Sequence, residues 1–329
     1  MSEIAVTIAG TGSYVPEKIL TNADLALTVD TSDEWIYSRT GIRERRIAAE
    51  GEFTSHMATK AAERALEQAG LAAAEVELII VATITPDTLT PATACYVQAN
   101  LGAVKAVAFD ISAACSGFLY AMKMAKRLIA AGSFKNAVII GAEKLSAFVN
   151  WEDRGTCVLF GDGAGAAVLR AALPGEGEIL ASEMGTDGNL THLLNIPGGG
   201  SACPITATNV GTHLATLAMM GKEVFKHAVN RMKEAAEAVI ERAGLKPEDI
   251  ACVIPHQANL RIIDAIADRL AVPNDRVFVN LDKYGNTSAA AVAIALDEAH
   301  RTGAFKRGDN IVLVVFGAGL TWAAAAIRW

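Results

Sequence analysis

The sequence places one cysteine where a strand changes into a helix, a position that favours a reactive thiol. Cys115 stands in ISAACSGFLY, and an apolar segment that predicts a helix over residues 117–131 follows it directly. A helix N-terminus carries about half a positive charge, which stabilises both a thiolate and a developing oxyanion. A buried cysteine is more often an inert core residue, and that interpretation fits Cys157 and Cys252. The location of Cys115 instead predicts a nucleophile.

A histidine and an asparagine accompany this cysteine in two further motifs. His256 ends the predicted strand of IACVIPHQAN, at the edge where the ligand sites of parallel sheets form. Asn286 follows Gly285 in KYGNTSAA, at a second predicted helix start. Cysteine, histidine and asparagine together occur in nucleophilic catalysis. Taken singly, however, the histidine also fits a packed core residue and the asparagine a helix N-cap, so both interpretations stay open at this point.

An internal repeat favours the catalytic interpretation, because it pairs two of these residues. Three stretches of the first half match three of the second half in their order of helices, glycines and strands. The matching stretches are residues 61–83 with 235–256, 109–143 with 279–319, and 160–169 with 316–327. Alignment of Gly132-Ser133-Phe134 with Gly303-Ala304-Phe305 places Cys115 opposite Asn286. Both residues are therefore predicted to open equivalent helices directly after equivalent strands, where a pseudo-twofold fold can bring them face to face.

The repeat also predicts the architecture. Each half is predicted to run strand, helix, strand, helix, strand, and βαβ crossovers of this kind imply largely parallel sheets covered by helices. We expect an N-terminal half over residues 1–173, which carries the cysteine, and a C-terminal half over residues 174–329, which carries the histidine and the asparagine. Residues 174–220 are rich in glycine and threonine, and a connecting segment of this length is usually functional.

Composition and charge exclude several classes of function. The 329 residues are 52% hydrophobic and 20% charged but only 6% aromatic, which is typical of a layered α/β protein with closely packed small residues. A net charge of -7 with scattered basic residues gives no indication of nucleic-acid binding. The five cysteines form no CxxC pair, so neither a metal site nor a redox dithiol is predicted. Since no signal peptide or membrane-spanning stretch is recognisable, we expect a cytoplasmic protein without membrane association.

Five motifs together resemble the β-ketoacyl-acyl-carrier-protein synthase III family, which belongs to the thiolase superfamily of condensing enzymes. The motifs are ISAACSGF, IPHQANLRI, KYGNTSAA, RGTCVLFGDGAGAAVL and DTSDEWIYSRTGIRERR. They occur in the family's order, and the resemblance covers essentially the whole chain. It implies an α/β fold in which two thiolase-like βαβαβ halves form a five-layered α-β-α-β-α body.

The same resemblance implies an activity, the initiation of type II fatty-acid synthesis. In that family Cys115 matches the nucleophile that takes an acyl group from acyl-coenzyme A. His256 and Asn286 match the pair that binds the thioester carbonyl of malonyl-acyl carrier protein and stabilises the enolate formed as carbon dioxide leaves. The backbone N–H groups of Cys115 and Ala318 match the oxyanion hole, although the family usually has glycine where this chain has Ala318.

Further positions match the family's contacts with coenzyme A and with acyl carrier protein. Those matching the coenzyme A site are Trp35, Arg39 and Arg154 around the adenine ring and Gly221, Phe225 and Asn259 along the pantetheine channel. Lys226 and Arg261 match the basic patch that docks the acidic carrier protein, and Lys222 replaces a common asparagine of the channel. Coenzyme A thioester is implied as a substrate, with no metal and no permanently bound cofactor.

The resemblance also implies a homodimer in which the residue before Pro91 reaches the floor of the partner's acyl pocket. Members of the family that are limited to short primers often carry phenylalanine there, whereas this chain has Thr90. The smaller side chain predicts an open pocket floor and acceptance of acyl groups longer than acetyl. The alternative is that Thr90 caps a helix that begins near Pro91. Residues 174–220 are expected to complete the acyl pocket.

Three other interpretations deserve comparison with this one. A related Cys-His-Asn condensing enzyme of secondary metabolism, which supplies an alkylquinolone or a polyketide starter, would share the motifs and differ in its acceptor. A Rossmann-type nucleotide binder is suggested by the glycines of residues 161–165 and 10–12, but no ribose-binding acid follows them. These glycines are instead expected in tight turns. A scaffold without activity is disfavoured because the cysteine, the histidine and the asparagine are all present.

Overall fold

The computed structural model describes residues 4–329. Its strands are β1 (Val6–Tyr14), β2 (Lys18–Thr21), β3 (Glu44–Ile47), β4 (Leu78–Ala82), β5 (Val107–Ile111), β6 (Asn136–Glu143), β7 (Gly163–Ala171), β8 (Glu178–Thr186), β9 (Leu194–Asn195), β10 (Ala218–Met219), β11 (Ile250–Pro255), β12 (Asn310–Gly317) and β13 (Thr321–Arg328). Its α-helices are α1 (Asn22–Leu25), α2 (Asp33–Thr40), α3 (Thr54–Ala69), α4 (Thr93–Leu101), α5 (Gly117–Ala130), α6 (Gly221–Arg242), α7 (Leu260–Leu270), α8 (Leu281–Tyr284) and α9 (Ala289–Arg301).

Two larger sheets organise the chain. The first has the strand order β1-β7-β6-β4-β5, and the second has the order β11-β12-β13-β8. Strand β4 runs parallel to β5 and β6, and β11 runs parallel to β12, whereas β7 and β13 are antiparallel to both of their neighbours. The expectation of largely parallel sheets is therefore wrong. Antiparallel pairing arises because the chain turns back after β6 and after β12 and returns beside the strand that it has just left.

Apolar side chains on both faces of the central strands create a five-layered body, as predicted. In β12, Leu313 packs towards the inner helices while Val312 and Val314 pack against α6. Helices α3 and α4 cover the outer face of the first sheet, α5 and α9 lie between the two sheets, and α6 and α7 cover the second sheet. Helix α5 fits the middle layer because Phe118 and Met122, one turn apart, are both fully buried.

Glycines inside the strands allow helices to lie unusually close to the first sheet. A Cβ atom at Gly12 would stand 2.4 Å from the carbonyl oxygen of Ala61 in α3, and one at Gly165 would stand 2.5 Å from the Cβ atom of Ala293 in α9. Both glycines lie within strands, β1 and β7 respectively. The expectation that they form tight turns is therefore wrong, because their function is close helix-on-sheet packing.

The two halves differ in the segment that leads to the asparagine. Strand β5 precedes Cys115, but the corresponding segment of the second half is reduced to a single bridge between Val253 and Val277. The side chain of Gln257 replaces the missing ladder, since its Nε2 donates to the Phe278 carbonyl (3.1 Å) and its Oε1 accepts from the backbone N–H of Asn280 (2.9 Å). Helix α8 then intervenes. The prediction that the asparagine directly follows a strand equivalent to β5 is wrong.

The segment 174–220 contributes to the second sheet as well as to connections. Strand β8 occupies residues 178–186 and pairs along its whole length with β13. We propose residues 173 and 174 as the boundary of the two halves, because the first sheet ends at residue 171 and the second begins at residue 178. Among residues 4–329, no helix combines the length and the apolar character needed to cross a membrane.

Candidate active site

The cysteine, the histidine and the asparagine line one cavity between the two halves. The cavity has a volume of about 520 Å³, and Cys115, His256 and Asn286 all contribute to its wall. All three side chains are buried with respect to bulk solvent. The structure thus brings together three residues that lie far apart in the sequence. Within residues 4–329, no cluster of histidine, cysteine, aspartate and glutamate side chains is suited to hold a metal ion.

A strained turn presents Cys115 at the start of α5. The residue before it, Ala114, has a φ angle of 46°, a left-handed conformation that non-glycine residues seldom adopt. The turn packs against the end of β12, where a Cβ atom at Gly317 would stand only 2.7 Å from the backbone nitrogen of Cys115. The Thr321 hydroxyl donates to the carbonyl of Ala113 (3.0 Å) and fixes the turn from the other side. A glycine at 317 is therefore required for the two halves to meet at the thiol.

The electrostatic environment of Cys115 differs from the expectation. Burial raises the pKa of the thiol to about 12, although the hydroxyl of Ser288 acts in the opposite direction. The helix N-terminus favours the thiolate, whereas loss of hydration favours the neutral thiol and is the largest cause of the raised pKa. A neutral buried thiol must give up its proton before its sulfur can act as a nucleophile, because the thiolate is the reactive form.

His256 is held in its neutral form at the end of β11. Its backbone N–H donates to the carbonyl of Val314 (2.8 Å), which continues the pairing of β11 with β12. Burial lowers the pKa of the imidazole to about 4. The ring atom Nδ1 is enclosed and has no hydrogen-bond partner, so Nε2 is the nitrogen that can meet a substrate in the cavity. A neutral ring with its proton on Nε2 offers one hydrogen-bond donor there.

The backbone and one side-chain oxygen fix Asn286. Its backbone N–H donates to Leu159 (2.8 Å), its carbonyl accepts from Gly161 (3.1 Å), and its Oδ1 accepts from the backbone N–H of Ser288 (2.9 Å). Because Oδ1 is occupied, the Nδ2 hydrogens are the polar group left to face the cavity. The N-cap of α9 is Ser288 rather than Asn286. The side chain of Asn286 is therefore oriented as a donor.

Ala318 fits the backbone conformation at the predicted oxyanion hole. The non-glycine residues of the described chain with positive φ angles are Ala114, Ala271 and Ser288, so Ala318 lies outside the region that favours glycine. Ala318 lines the cavity and follows Gly317, which packs against the backbone of Cys115. A methyl group in place of the family's usual glycine therefore leaves the backbone N–H in place without strain.

The residues predicted for the adenine ring meet at the mouth of the cavity. The guanidinium carbons of Arg39 and Arg154 lie 4.9 Å and 4.7 Å from the ring centroid of Trp35, within the range of cation–π contacts. Arg154 also donates to the carbonyl of Asp30 (2.8 Å). The three residues form one basic and aromatic rim, which suits a nucleotide that stacks on its base and carries phosphate groups.

The other predicted contact residues divide into two groups. Those that line the cavity are Gly221, Lys222, Phe225, Asn259 and Arg261. Both polar groups of the Asn259 side chain bind the protein itself, because Oδ1 accepts from Arg261 N (2.9 Å) and Nδ2 donates to the Arg39 carbonyl (3.1 Å). Lys226 is exposed outside the cavity, one residue from Phe225.

Thr90 lies away from the cavity of its own chain. It is exposed and absent from the cavity wall. The alternative interpretation of Thr90 as a helix cap is wrong, because α4 begins at Thr93 and its N-cap is Ala92. The expected contact with a partner's acyl pocket stays a prediction.

Two residues of the site were missed in the sequence. Ser288 lines the cavity, and its hydroxyl acts on the pKa of the Cys115 thiol. Glu143 is fully buried behind Ser288. Both left a signal: Ser288 stands two residues after Asn286 in KYGNTSAA, and Glu143 is a carboxylate at the end of the otherwise apolar strand AVIIGAE.

Two segments of the chain match known protein families. Residues 109–188 match the family described as 3-Oxoacyl-[acyl-carrier-protein (ACP)] synthase III. Residues 240–329 match the family described as the C-terminal part of the same synthases. The matched segments carry Cys115, His256 and Asn286, the three residues that meet in the cavity.

Relatives of known sequence or structure match the chain over nearly its whole length. A β-ketoacyl-[acyl-carrier-protein] synthase III from Caldanaerobacter subterraneus subsp. tengcongensis is 58% identical over 327 residues, with 99% of this chain and 98% of that protein covered. The crystal structure of 3-oxoacyl-[acyl-carrier-protein] synthase III from Aquifex aeolicus VF5 matches with a TM-score of 0.91 and 52% identity, covering 98% and 100% of the two chains. The priming β-ketosynthase of the R1128 polyketide biosynthetic pathway matches with a TM-score of 0.90 and 38% identity, covering 99% and 96%.

Proposed function

Because the chain belongs to the 3-oxoacyl-[acyl-carrier-protein] synthase III family, we propose that Cys115 accepts an acyl group from acyl-coenzyme A and passes it to malonyl-acyl carrier protein. The chain is an acyltransferase, a condensing enzyme that initiates fatty-acid biosynthesis. The products are a 3-oxoacyl-acyl carrier protein, carbon dioxide and coenzyme A. The observation that carries the residue assignment is the single cavity that holds a buried thiol together with two neutral hydrogen-bond donors.

Acylation uses the turn at Cys115. The sulfur atom attacks the thioester carbonyl, and negative charge develops on the carbonyl oxygen. The backbone N–H groups of Cys115 and Ala318, which lie on the two sides of Gly317, are the donors for this oxyanion. Fixed donors of this kind contribute to the rate because they need no reorganisation when the charge appears, and one donor is worth about 2.7–4 kcal/mol.

Condensation uses the two donors of the second half. His256 Nε2 and Asn286 Nδ2 bind the carbonyl oxygen of the malonyl thioester, where charge accumulates as carbon dioxide leaves and an enolate forms. The enolate carbon then attacks the acyl group on Cys115, and the thiolate of Cys115 is expelled. Neutral donors suit this step because burial disfavours a resting charge but leaves hydrogen bonds to a transient oxyanion strong.

The rim of the cavity receives the rest of each substrate. Trp35, Arg39 and Arg154 are placed for the adenine nucleotide of coenzyme A, which is a substrate rather than a resident cofactor. The pantetheine arm passes Gly221, Phe225 and Asn259; since the polar groups of Asn259 already bind the protein, that residue acts by position and shape.

Carrier-protein docking, oligomeric state and location complete the proposal. Lys226 and Arg261 provide positive charge beside the mouth of the cavity for an acidic carrier protein, which would raise the rate of encounter. The chain acts as a cytoplasmic homodimer in which Thr90 approaches the acyl pocket of the partner.

A second candidate is a priming condensing enzyme of secondary metabolism. The similarity to the priming β-ketosynthase of the R1128 pathway supports it, but that identity is 38%, against 58% for the synthase III relative. The two candidates differ in the carrier protein that receives the starter unit.

The test is a complete reaction with defined substrates. Incubation of the protein with acetyl-coenzyme A and malonyl-acyl carrier protein of fatty-acid synthesis should yield 3-oxobutyryl-acyl carrier protein, identified by the mass of the intact carrier protein. Turnover only with a polyketide carrier protein would favour the second candidate. An acyl adduct on a cysteine other than Cys115 would contradict the assignment of the nucleophile.

A further inference from the structure

A buried carboxylate stands directly behind the nucleophile and has no assigned role. Glu143 is the last residue of β6, every residue of which is buried, and none of its own surface is exposed. It forms no ion pair with any of residues 4–329. A carboxylate that is taken out of water without a cation is costly, so that its presence beside the active site requires an explanation.

The hydrogen bonds of Glu143 connect it to a residue of the cavity wall. Its Oε2 accepts from Thr85 Oγ1 (2.7 Å), from Thr83 Oγ1 (3.2 Å) and from the backbone N–H of Ile84 (3.1 Å). Its Oε1 accepts from the hydroxyl of Ser288 (3.0 Å). Ser288 and Cys115 both line the cavity, and the hydroxyl of Ser288 acts on the pKa of the Cys115 thiol. The hydroxyl therefore stands between the buried carboxylate and the cavity that holds the thiol, as a chain for a proton requires.

We propose that Glu143 receives the proton of Cys115 through the hydroxyl of Ser288 when the thiol is acylated. The inference rests on the proposed function, since it concerns the acylation step of that reaction. Glu143 acts through Ser288, which lines the cavity together with Cys115, and is therefore a positioning residue for the proton.

The proton and charge balance closes over the two half-reactions. In acylation the Cys115 sulfur forms its bond to the acyl carbon, its proton moves to Ser288 Oγ, and the hydroxyl proton of Ser288 moves to Glu143 Oε1. Coenzyme A leaves as a thiolate and takes a proton from water at the open mouth. In condensation Cys115 is expelled as a thiolate, and the proton returns along the same path, so that a thiol and a carboxylate are restored.

The environment of Glu143 suits a temporary proton acceptor. Burial raises the pKa of its carboxyl group to about 7, against the lowering effect of its four hydrogen-bond donors. His256 has a pKa of about 4 and is a poorer acceptor at neutral pH. The other ionisable groups nearby are Cys115 itself and Lys144, whose Nζ is bound elsewhere, to the carbonyl of Glu52 (2.7 Å). A neutral Glu143 in the acyl-enzyme also avoids repulsion of the malonyl carboxylate.

A purely structural role is the alternative, in which Glu143 only ties residues 83–85 to β6. The pH dependence separates the two. Single-turnover acylation by acetyl-coenzyme A, followed by quenching and intact-protein mass measurement, should speed up in the wild type as pH rises through about 7 and then level off. Glu143→Gln should be slower at neutral pH by about a hundredfold. Its rate should continue to rise with pH without levelling, because the thiol must then ionise without help.

Two controls accompany this variant. Asp162→Asn removes another buried carboxylate, one that accepts from Ser146 Oγ and from the backbone of Ala48, outside the cavity wall. It should keep the wild-type pH profile. Malonyl decarboxylation by Glu143→Gln in the absence of acyl-coenzyme A should also stay near the wild-type rate, since that reaction needs no proton from Cys115.

Ser288→Ala is the second variant, and it serves if Glu143→Gln does not fold. It leaves the carboxylate in place but breaks the chain, and should show the same slow, steadily rising profile. A wild-type rate and profile in either variant overturns the inference. Equal loss of acylation and decarboxylation with an unchanged profile assigns Glu143 to structure and also overturns it. Failure of the wild type to acylate Cys115 would instead contradict the proposed function.

Discussion

The turns before α5 and α9 are equivalent by the repeat, yet the proposed function gives them different chemistry. Each has a residue with positive φ directly before the functional side chain, Ala114 at 46° before Cys115 and Gly285 at 62° before Asn286. The segments that lead to the two turns have diverged, since a full strand precedes the first, while a single bridge and α8 precede the second. The duplicated backbone has been retained where it positions the reacting groups and has changed elsewhere.

Burial has the same consequence in both halves. It raises the pKa of the Cys115 thiol and lowers that of the His256 imidazole, so that each group rests uncharged. In the proposed mechanism the first half then supplies the attacking atom, and the second supplies donors for charge that exists only during reaction. The two halves therefore act at different steps of the proposed reaction. Substitutions in each half should affect different half-reactions.

The largest expected effect comes from the first turn. Cys115→Ala should abolish acylation by acetyl-coenzyme A, because no other thiol lines the cavity. The matched control is Cys157→Ala, which removes a buried thiol outside the cavity wall and should still be acylated. The mass of the intact protein after incubation distinguishes them. An acetyl adduct on the Cys115→Ala variant would contradict the assignment of Cys115 as the acylated residue.

Substitutions in the second half should leave acylation partly intact and impair decarboxylation. His256→Ala and Asn286→Ala each remove one donor to the enolate oxygen, so that decarboxylation of malonyl-acyl carrier protein should fall about a hundredfold or more. Acylation of Cys115 is measured in the same samples as a control. If acylation and decarboxylation fall together, the two halves do not divide the reaction as described.

Stability should reveal the neutral state of His256 independently of catalysis. Between its unfolded pKa of 6.5 and its folded pKa of about 4, the unfolded chain binds a proton that the native protein does not. The free energy of unfolding should therefore decrease as pH falls through this range, by up to about 3 kcal/mol from this group. Urea titrations of the wild type and His256→Ala should show a shallower acid slope for the variant. Parallel slopes would mean that His256 titrates normally.

A smaller effect is expected at the carrier-protein surface of the second half. Lys226→Glu and Arg261→Glu should raise the KM for malonyl-acyl carrier protein several-fold and leave acylation nearly unchanged. Added salt should reduce carrier-protein turnover in the wild type, because exposed charges are screened beyond ~8–10 Å. The matched control for Lys226→Glu is Lys233→Glu, which makes the same charge change two turns farther along α6. Turnover that is unchanged by both the charge-reversing substitutions and the added salt would place docking elsewhere.

The smallest change concerns the choice of primer, which the proposed dimer assigns to the first half of the partner. Thr90→Phe should leave acylation by acetyl-coenzyme A intact and reduce acylation by longer acyl groups, because the larger ring would fill the pocket floor. A series of acyl-coenzyme A substrates of increasing length checks the profile. An unchanged profile, or a wild type that takes only acetyl groups, would remove Thr90 from the pocket.

The sequence predicted the layers and the pairing of Cys115 with Asn286, because buried strands, helical periodicity and the repeat are local properties of the chain. It did not predict strand direction in the sheets or the loss of a strand before α8, which depend on how the chain returns after each strand. The raised pKa of the thiol was missed because burial is a tertiary property. For the same reason Glu143 and Ser288, 145 positions apart, gave no joint signal.

The contact between Gly317 and the turn that carries Cys115 has a genetic consequence. A Cβ atom at this position would meet the backbone nitrogen of Cys115 at 2.7 Å, so every missense codon at 317 pushes the nucleophile and its N–H donor out of place. A screen for loss-of-function alleles should therefore recover substitutions at 317 as readily as those at the thiol itself. Such alleles would leave Cys115, His256 and Asn286 unchanged in sequence, and the lesion would escape notice in any comparison limited to catalytic side chains.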